Sequence, residues 1–503
     1  MAVSKPQPAS TLPQVLRRPP PRAPAVRFGG DWLAYAGLDA AAARAATVAW
    51  HGWGVRPGDR VAWLGANHPA QLVLLFGLAR IGAVLLPLNF RLAPPEWRRL
   101  LADCAPAHLV HDTQWSDAAR ALACDAGIAA HGLESLAQGD GPSAPDHAAP
   151  DAPALLVCTS GTTGGPKAAV HTQANLLANM AIAAEVQALG RADTVLAVLP
   201  LFHAGGLCIQ TLPALYAGAR VILHARFSPE ATLDCMAQDR PTLTLQVPAT
   251  MKALVEHPRW GATDLSSLRA VWAGSSVLPD ALVHAFHARG VPVCNVYGAT
   301  ETGPFSIALT PAQAFDHVGS CGWPAPGVAA RAGTFHGDAA ELLVRGPNVV
   351  ARYWPDQPAC DAEGWFATGD LAQQADDGSW RIVGRARELI ISGGENIHPM
   401  EIEQVLLAHP AVAECAAFGL PDARWGERVA VAVVLQPGAA ATQADLQAHV
   451  ADRLARFKQP RHWFWPAQLP KTALGKVQRS LLAQQALAAG QAADAPLATD
   501  DAA

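Results

Sequence analysis

Short apolar runs alternate with amphipathic stretches through the N-terminal half of the chain. The run Arg60–Leu64 is followed by an amphipathic stretch at residues 68–80 and by another apolar run at 83–86. Similar runs, most of them followed by a segment of helical period, occur at residues 153–158, 194–199, 219–223, 243–247, 268–272 and 291–296. Such alternation is typical of parallel sheets covered by helices. It predicts an α/β fold with a large N-terminal body of βα-layered sheets.

The sequence changes character near residue 339, where shorter strand-like runs and Gly-rich turns begin. After Gly384, a helix is predicted to begin at Pro399, strands to follow at 412–418 and 429–435, and a second helix to lie near 443–454. These elements predict a small α+β C-terminal domain. We therefore expect a flexible lead-in over residues 1–27, an N-terminal domain over 28–384, a connecting segment over 385–387, a C-terminal domain over 388–485 and a disordered tail over 486–503.

Composition excludes several classes of protein. The chain has 37 basic and 42 acidic residues, and this slightly acidic balance gives no electrostatic footprint for a nucleic-acid partner. The longest apolar stretch, residues 72–86, is interrupted by Arg80 and Gly82 and is shorter than the ~20 residues that span a bilayer. The nine cysteines form no CxxC pair, which favours buried thiols in a reducing compartment. We expect a cytoplasmic protein without an integral membrane segment. The sequence does not decide the oligomeric state, and both a monomer and a homodimer are compatible with it.

The sharpest local signal is a loop rich in glycine and hydroxyl side chains. It follows a predicted buried strand and precedes a helix that is predicted to begin near Thr172. Its backbone N–H groups and hydroxyls can surround phosphate oxygens, with a lysine as a point charge. A Walker A loop is excluded because Pro166 and Ala168 flank that lysine. The candidate phosphate-binding residues are Thr159, Ser160, Gly161, Thr162, Thr163, Gly164 and Lys167.

This loop resembles the phosphate-binding signature of the acyl-adenylate-forming superfamily, which includes acid–CoA ligases and adenylation domains. Four further segments resemble other motifs of that superfamily, in the same order. They are residues 295–302 (adenine and magnesium), 368–370 (ribose), 384–403 (hinge and thiol tunnel) and 470–476 (C-terminal catalytic loop). The resemblance covers roughly residues 30–485. It implies that the C-terminal domain is mobile and rotates about the hinge 385–387, where Arg387 replaces the usual Asp or Lys.

The resemblance assigns a nucleotide site. Glu301 would supply a carboxylate oxygen to Mg²⁺ and Thr300 would hydrogen-bond a phosphate. Tyr297 would offer a ring face to adenine, and Asp370 would accept the ribose hydroxyls. The remaining nucleotide contacts implied are Asn295, Gly298, Gly274, Ser275, Ser276, Ile382 and Arg385.

Catalysis and CoA binding are implied at the C-terminal end. Lys476 would meet the negative charge that develops as the carboxylate attacks the α-phosphorus, whereas Lys471 is interpreted as a surface charge. The low bulk of Gly393 and Gly394 suits a tunnel for the pantetheine arm. The residues matching the CoA nucleotide contacts of aryl and fatty acid–CoA ligases are Trp425, Phe457 and Arg461, with Gln459 where some relatives carry a second Arg.

The implied acyl pocket is small and apolar, and His203 would gate it. Its lining is predicted to be His203, Ala204, Gly205, Ala273, Gly274, Val296 and Gly303. None of these positions holds Arg or Lys, so a second substrate carboxylate would lack a counter-charge. The pocket therefore favours an uncharged aryl or medium-chain monocarboxylate over a dicarboxylate.

These observations predict an ATP-dependent acid–CoA ligase that uses Mg²⁺ and coenzyme A and takes a small-molecule carboxylic acid. One alternative is a stand-alone adenylation enzyme that loads a carrier protein, since it would share every nucleotide motif. A non-catalytic adenylate-binding protein is the other, but it would be expected to have lost Lys476 or Glu301. Two departures from the family pattern remain: Ala168 replaces the usual Gly, and residues 329–341 are predicted to be a trimmed surface loop.

Overall fold

The computed structural model describes residues 9–139, 141–159, 167–274, 278–392, 395–422, 425–451, 453–472 and 475–488. The chain divides into two units. The first contains the chain up to Arg331 with Leu343–Thr368 and Asp376–Trp380, and the second contains Ala332–Leu342, Gly369–Ala375 and the chain from Arg381 onward. Two short segments that precede residues 385–387 thus belong to the second unit, and the predicted domain boundaries stay predictions.

The first part of the chain alternates strands and helices, as the apolar runs predict. Its elements are α1 Leu12–Val15, β1 Pro24–Arg27, β2 Trp32–Ala34, α2 Tyr35–Thr47, β3 Arg60–Leu64, α3 Pro69–Arg80, β4 Val84–Leu88, α4 Pro94–Cys104, β5 His108–His111, α5 Ser116–Ala126, β6 Ala129–Gly132, β7 Pro153–Thr159, β8 Lys167–Thr172 and α6 Gln173–Val186.

The alternation continues to residue 297 and then gives way to short strands. The elements are β9 Thr194–Ala197, α7 Leu212–Ala217, β10 Arg220–Leu223, α8 Pro229–Gln238, β11 Leu243–Gln246, α9 Pro248–Val255, β12 Ala270–Gly274, α10 Asp280–His287, β13 Val293–Tyr297, β14 Ile307–Ala308, β15 Trp323–Pro324, β16 Ala329–His336, β17 Ala339–Arg345, β18 Arg352–Tyr353, β19 Gln357–Pro358, β20 Phe366–Gln374 and β21 Trp380–Arg385.

The remaining elements belong to the α+β unit predicted at the C-terminus. They are β22 Ile390–Ser392, β23 Glu395–Ile397, α11 Pro399–Leu407, β24 Val412–Asp422, β25 Gly426–Leu435, α12 Gln443–Ala451, β26 His462–Phe464 and α13 Arg479–Ala488. Among the residues described, no helix has the length and apolar character needed to cross a membrane.

Two large sheets form the framework of the first unit. One has eight strands in the order β19-β18-β8-β7-β4-β3-β5-β6, and the other has nine in the order β15-β14-β13-β12-β11-β9-β10-β1-β2. Their central strands are parallel. All five residues of β4 and of β12 are buried, as expected of parallel strands covered on both faces. The α/β class is therefore confirmed.

Two smaller sheets follow. One has the order β16-β17-β20-β21, and the other has the order β23-β22-β25-β24 with β26 alongside β25. On one face of the β24–β25 pair, Ile402 and Leu406 of α11 pack with Leu446 of α12. On the other face, Leu482 of α13 packs against Phe418. The second unit thus has its own apolar cores.

Two segments expected to be irregular are folded. The prediction of a flexible lead-in over residues 1–27 is wrong from residue 12 on. Leu12 and Val15 are fully buried, and β1 is a strand of the nine-stranded sheet. At the other end, α13 extends to Ala488 and buries Ala486, so the disordered tail does not begin at 486. Residues 489–503 lie outside the described residues.

Two strands lie where the sequence predicted something else. The helix predicted near Thr172 is present as α6, and the Thr172 side chain caps it, but β8 precedes it and pairs antiparallel with β7. Residues 329–341 are not a trimmed loop, since they form β16, a turn and the start of β17. Gly337 lies in that turn with φ +68°, a conformation that glycine adopts easily.

Candidate active site

The carboxyl ends of three parallel strands, β11, β12 and β13, meet at one edge of the nine-stranded sheet. Their register pairs Gln246 with Ala273, Ala273 with Asn295, and Gly274 with Val296. Three predicted pocket residues, Ala273, Gly274 and Val296, therefore lie side by side and are buried. Open α/β sheets bind ligands beyond the carboxyl ends of their strands, so this edge is the candidate acyl and nucleotide site.

Backbone crowding requires small residues here. A Cβ atom added to Gly274 would lie 2.5 Å from the carbonyl oxygen of Val296. Gly303 has φ +93°, and an added Cβ would lie 2.8 Å from Oδ1 of Asn179. Neither glycine can be enlarged without moving its neighbours, so glycine is required at both positions.

His203 is held as a neutral side chain. Its Nδ1 accepts a hydrogen bond of 3.0 Å from the backbone N–H of Gly205, and Ala204 and Gly205 are buried. Burial, followed by the positive charge of Arg91, lowers the pKa of His203 to about 4. Arg91 was not predicted, because it lies outside the positions that the motifs assign to the pocket lining.

A tight turn after β13 presents Thr300 and Glu301. A Cβ atom on Gly298 would lie 1.7 Å from the carbonyl oxygen of Pro304, so only glycine fits. The backbone N–H of Ala299 donates to Oγ1 of Thr302 at 2.9 Å and closes the turn. Thr300 and Glu301 are half-buried at its start.

The segment 348–353 holds this turn from a distant part of the chain. The Val350 N–H donates to the carbonyl oxygen of Glu301 at 2.8 Å, and Nδ2 of Asn348 donates to that of Thr302 at 2.5 Å. The Tyr353 hydroxyl donates to Oε1 of Glu301 at 2.9 Å. Both the backbone and the carboxylate of Glu301 are therefore fixed.

Tyr353 also contacts Lys167, the lysine of the predicted phosphate loop. The Lys167 ammonium lies 5.1 Å from the centroid of the Tyr353 ring. Burial, followed by the charge of Glu301, raises the pKa of Tyr353. The hydroxyl is thus a permanent donor at physiological pH. Tyr353 was not predicted as a site residue, because in the sequence it resembles an ordinary core aromatic residue.

The phosphate loop is anchored at both ends. Thr159 and Lys167 are paired across β7 and β8, and Oγ1 of Thr159 donates to the Lys167 carbonyl oxygen at 3.2 Å. The other predicted loop residues, Ser160, Gly161, Thr162, Thr163 and Gly164, lie outside the described residues, as do Ser275, Ser276, Gly393 and Gly394.

Asn295 and Tyr297 lie near the end of β13. Nδ2 of Asn295 donates to the carbonyl oxygen of Ser320 at 3.1 Å, while Tyr297 is half-buried. Their contact with adenine stays a prediction.

In the second unit, the predicted ribose residues Asp370 and Arg385 form an ion pair, and the charges of both act on Lys476. Nε of Arg385 lies 2.9 Å from Oδ1 of Asp370, and Ile382 is half-buried on the same strand as Arg385. Desolvation, followed by the charge of Arg385, lowers the pKa of Lys476, while Glu388 and Asp370 oppose that shift.

Arg479, three residues after Lys476, is the centre of a buried ion-pair network. Its guanidinium donates to both oxygens of Glu403 at 2.8 and 2.9 Å, and to Glu388 at 2.6 Å. Glu403 is 6% exposed. The network joins α11, α13 and the segment just after 385–387, and it was not predicted, because the three residues are far apart in sequence.

Two of the three predicted CoA residues are in contact. The Arg461 guanidinium carbon lies 5.6 Å from the centroid of the Trp425 ring. Phe457 is 40% exposed, a large apolar side chain available for stacking. Lys471 pairs with Glu414 at 2.6 Å, in keeping with a surface charge.

The described side chains around Glu301 suit a magnesium ion that is bound partly by substrate, and they do not form a metal site built from protein ligands alone. Within the described part of the chain, no group of three or more His, Cys, Asp or Glu side chains could hold a metal ion. Mg²⁺ is commonly bound by one or two carboxylates plus substrate phosphates and water. One fixed carboxylate with a neighbouring threonine hydroxyl suits that mode.

Comparison with known proteins identifies the family. Residues 13–354 match the family described as AMP-binding enzyme, and residues 401–476 match the AMP-binding enzyme C-terminal domain. The chain therefore belongs to the AMP-binding enzymes, which confirms the predicted acyl-adenylate-forming superfamily.

Similar proteins of known activity indicate which reaction class within this family the chain belongs to. An indoleacetate–CoA ligase from Aromatoleum aromaticum is 41% identical over 90% of this chain and 93% of its own length. A feruloyl-CoA synthase from Amycolatopsis is 40% identical over 91% of this chain and 94% of its own length. The Bacillus subtilis o-succinylbenzoate CoA synthetase, solved with its acyl-adenylate intermediate, has a TM-score of 0.85, 30% identity, and coverage of 95% and 98% of the two chains. The chain is an enzyme of the AMP-forming acid–CoA ligase class, as predicted.

Proposed function

We propose that the chain converts an uncharged aryl-bearing monocarboxylic acid into its CoA thioester. The observation that carries this proposal is that Ala273, Gly274 and Val296, at the ends of β12 and β13, are small and buried. His203, which the motif assigns to the same lining, is neutral. Such a lining suits a flat apolar acyl group, and none of its own side chains carries a positive charge that could pair with a second carboxylate. The two relatives whose names specify indoleacetate and feruloyl substrates support the aryl choice over a medium-chain acid.

In the first step a carboxylate oxygen forms a bond to the α-phosphorus of ATP, and the bond to the pyrophosphate oxygen breaks. Lys167 and the hydroxyls of the loop after Thr159 bind phosphate oxygens, and Lys476 stabilises the charge that develops at the α-phosphate. A Mg²⁺ ion bound by Glu301, beside Thr300, would neutralise phosphate charge. The products are acyl-AMP and pyrophosphate.

In the second step the CoA sulfur bonds to the acyl carbon and AMP leaves. Adenylation has turned the carboxylate oxygen into a leaving group. We assign the CoA nucleotide to Trp425, Phe457 and Arg461, on the strength of the Arg461–Trp425 contact and the exposed ring of Phe457. Gly393 and Gly394 are proposed to admit the pantetheine arm. The thiol, with a pKa near ~8.5, requires no dedicated base.

A substrate screen tests the proposal. Purified protein is given ATP, Mg²⁺ and CoA with arylacetic acids, cinnamic acids, C6–C12 fatty acids and dicarboxylates, and both AMP and thioester are measured. We expect the highest kcat/KM among the aryl monocarboxylates. A preference for dicarboxylates would contradict the neutral-pocket argument, and a preference for C6–C12 acids would contradict the aryl assignment. A phosphopantetheinylated carrier protein in place of CoA tests the alternative acceptor.

A further inference from the structure

Tyr353 contacts both of the charged groups that are proposed to act on the ATP phosphates, Glu301 and Lys167. It lies in β18, where it pairs with Ala169, two residues beyond Lys167 in β8. From there its hydroxyl reaches Oε1 of Glu301 at 2.9 Å, and its ring face lies 5.1 Å from the Lys167 ammonium. The side chain is 9% exposed, so packing holds its position.

The hydrogen bond acts on the one part of Glu301 that the backbone leaves adjustable. The Glu301 carbonyl oxygen is already fixed by the N–H of Val350 at 2.8 Å. A glutamate side chain still loses considerable rotamer freedom when it binds a ligand. A hydrogen bond to a carboxylate that binds a metal orients that carboxylate, and loss of such a partner typically weakens metal affinity about 10- to 100-fold.

We propose that Tyr353 is a positioning residue for the metal–nucleotide site, setting the carboxylate of Glu301 through its hydroxyl and the ammonium of Lys167 through its ring. The inference rests on the proposed role of Glu301 as the magnesium ligand. Tyr353 itself is assigned no contact with substrate.

Metal binding without turnover tests the hydroxyl. Mn²⁺ is titrated into protein saturated with α,β-methylene-ATP, and water-proton relaxation reports the ternary complex. We expect Tyr353→Phe to weaken Mn²⁺ binding at least about tenfold. Tyr35→Phe is the matched control, because the Tyr35 hydroxyl is also buried and donates to the Ala219 carbonyl oxygen at 2.7 Å. It should leave Mn²⁺ binding unchanged.

A double-mutant cycle separates positioning from a general structural effect. If Tyr353 acts through Glu301, Tyr353→Phe should weaken Mn²⁺ binding in the wild-type background and have little further effect in Glu301→Gln. Equal weakening in both backgrounds, or no weakening in the wild type when Glu301→Gln does weaken it, overturns the inference. If Glu301→Gln did not change Mn²⁺ binding, the proposed role of Glu301 as the magnesium ligand would be contradicted instead.

The ring is tested by a second substitution. Tyr353→Leu removes the cation–π contact as well as the hydroxyl, whereas Tyr353→Phe retains the ring beside Lys167. We expect KM for ATP to rise at least about threefold further in the leucine variant than in the phenylalanine variant. Equal KM values in the two variants would refute the role of the ring.

Discussion

Replacing Arg479 by glutamine should destabilise the second unit strongly, because Glu403 would keep its buried position and lose its counter-charge. The guanidinium makes two hydrogen bonds from Nη2 to Glu403, another from Nε, one to Glu388 and one to the Ala417 carbonyl oxygen. Removing one partner of a buried pair costs about 3–5 kcal/mol. We expect Arg479→Gln to lower the free energy of unfolding by that amount at pH 7.

The pH dependence has a definite sign. Burial raises the pKa of Glu403, and Arg479 is the largest influence that lowers it. Without Arg479 the folded-state pKa rises further above the unfolded value. The folded variant is then most stable at low pH and loses stability as pH rises through that pKa. The gap between variant and wild type should therefore widen from pH 5 to pH 8.

Urea titrations followed by circular dichroism measure these differences. The double replacement Glu403→Gln with Arg479→Gln removes both charges and should recover most of the loss. Lys458→Gln is the matched control, because the Lys458–Glu401 pair is more exposed, with side chains 24% and 40% accessible. It should cost at most about 1 kcal/mol. An Arg479→Gln cost no larger than that of the control, or additive losses in the double variant, would refute the reasoning.

Three further outcomes are expected. Lys476→Ala should slow acyl-AMP formation about 100-fold or more yet still convert supplied acyl-AMP to thioester, measured as separate half-reactions. Gly394→Val should release pyrophosphate but form no thioester; unchanged CoA transfer would contradict the predicted tunnel. Burial lowers the pKa of His171 to about 4, so stability should fall as pH drops below ~6.5, by about 2 kcal/mol at pH 5 from this residue. His171→Leu should remove that share, whereas replacing exposed His51 should not.

Apolar periodicity was sufficient where a strand is buried on both faces. Arg60–Leu64 was predicted with its bounds, and β12 and β13 to within two residues, because each is a short apolar run followed by a helix or a turn. It failed at β16, because a hairpin strand that is largely exposed carries no apolar run. It failed at β8, because the buried residues of that strand, Ala168–His171, include no large apolar side chain except Val170. It also failed at α1, a single turn whose few apolar residues lie among prolines.

The candidate site shows a similar division. Glu301, His203 and Asp370 could be predicted as site residues because each lies within a motif that is continuous in sequence. Tyr353 and Arg479 were missed because their roles depend on pairing between distant segments, such as β18 with β8. Contacts between residues that are far apart in sequence depend on the topology of the fold, and a sequence motif carries no information about them.

The discontinuous make-up of the second unit bears on how such enzymes can be dissected or recombined. Its short segments are tied to each other and to the later chain: Gln373 donates to Asp338 at 2.7 Å, the Gly369 N–H to Glu341 at 3.1 Å, and Arg385 pairs with Asp370 at 2.9 Å. A gene fragment that starts at residue 385 would omit both short segments. Chimaeras between relatives should therefore exchange residues 332–342 and 369–375 together with the chain from residue 381 onward, and should keep residues 343–368 and 376–380 with the first unit.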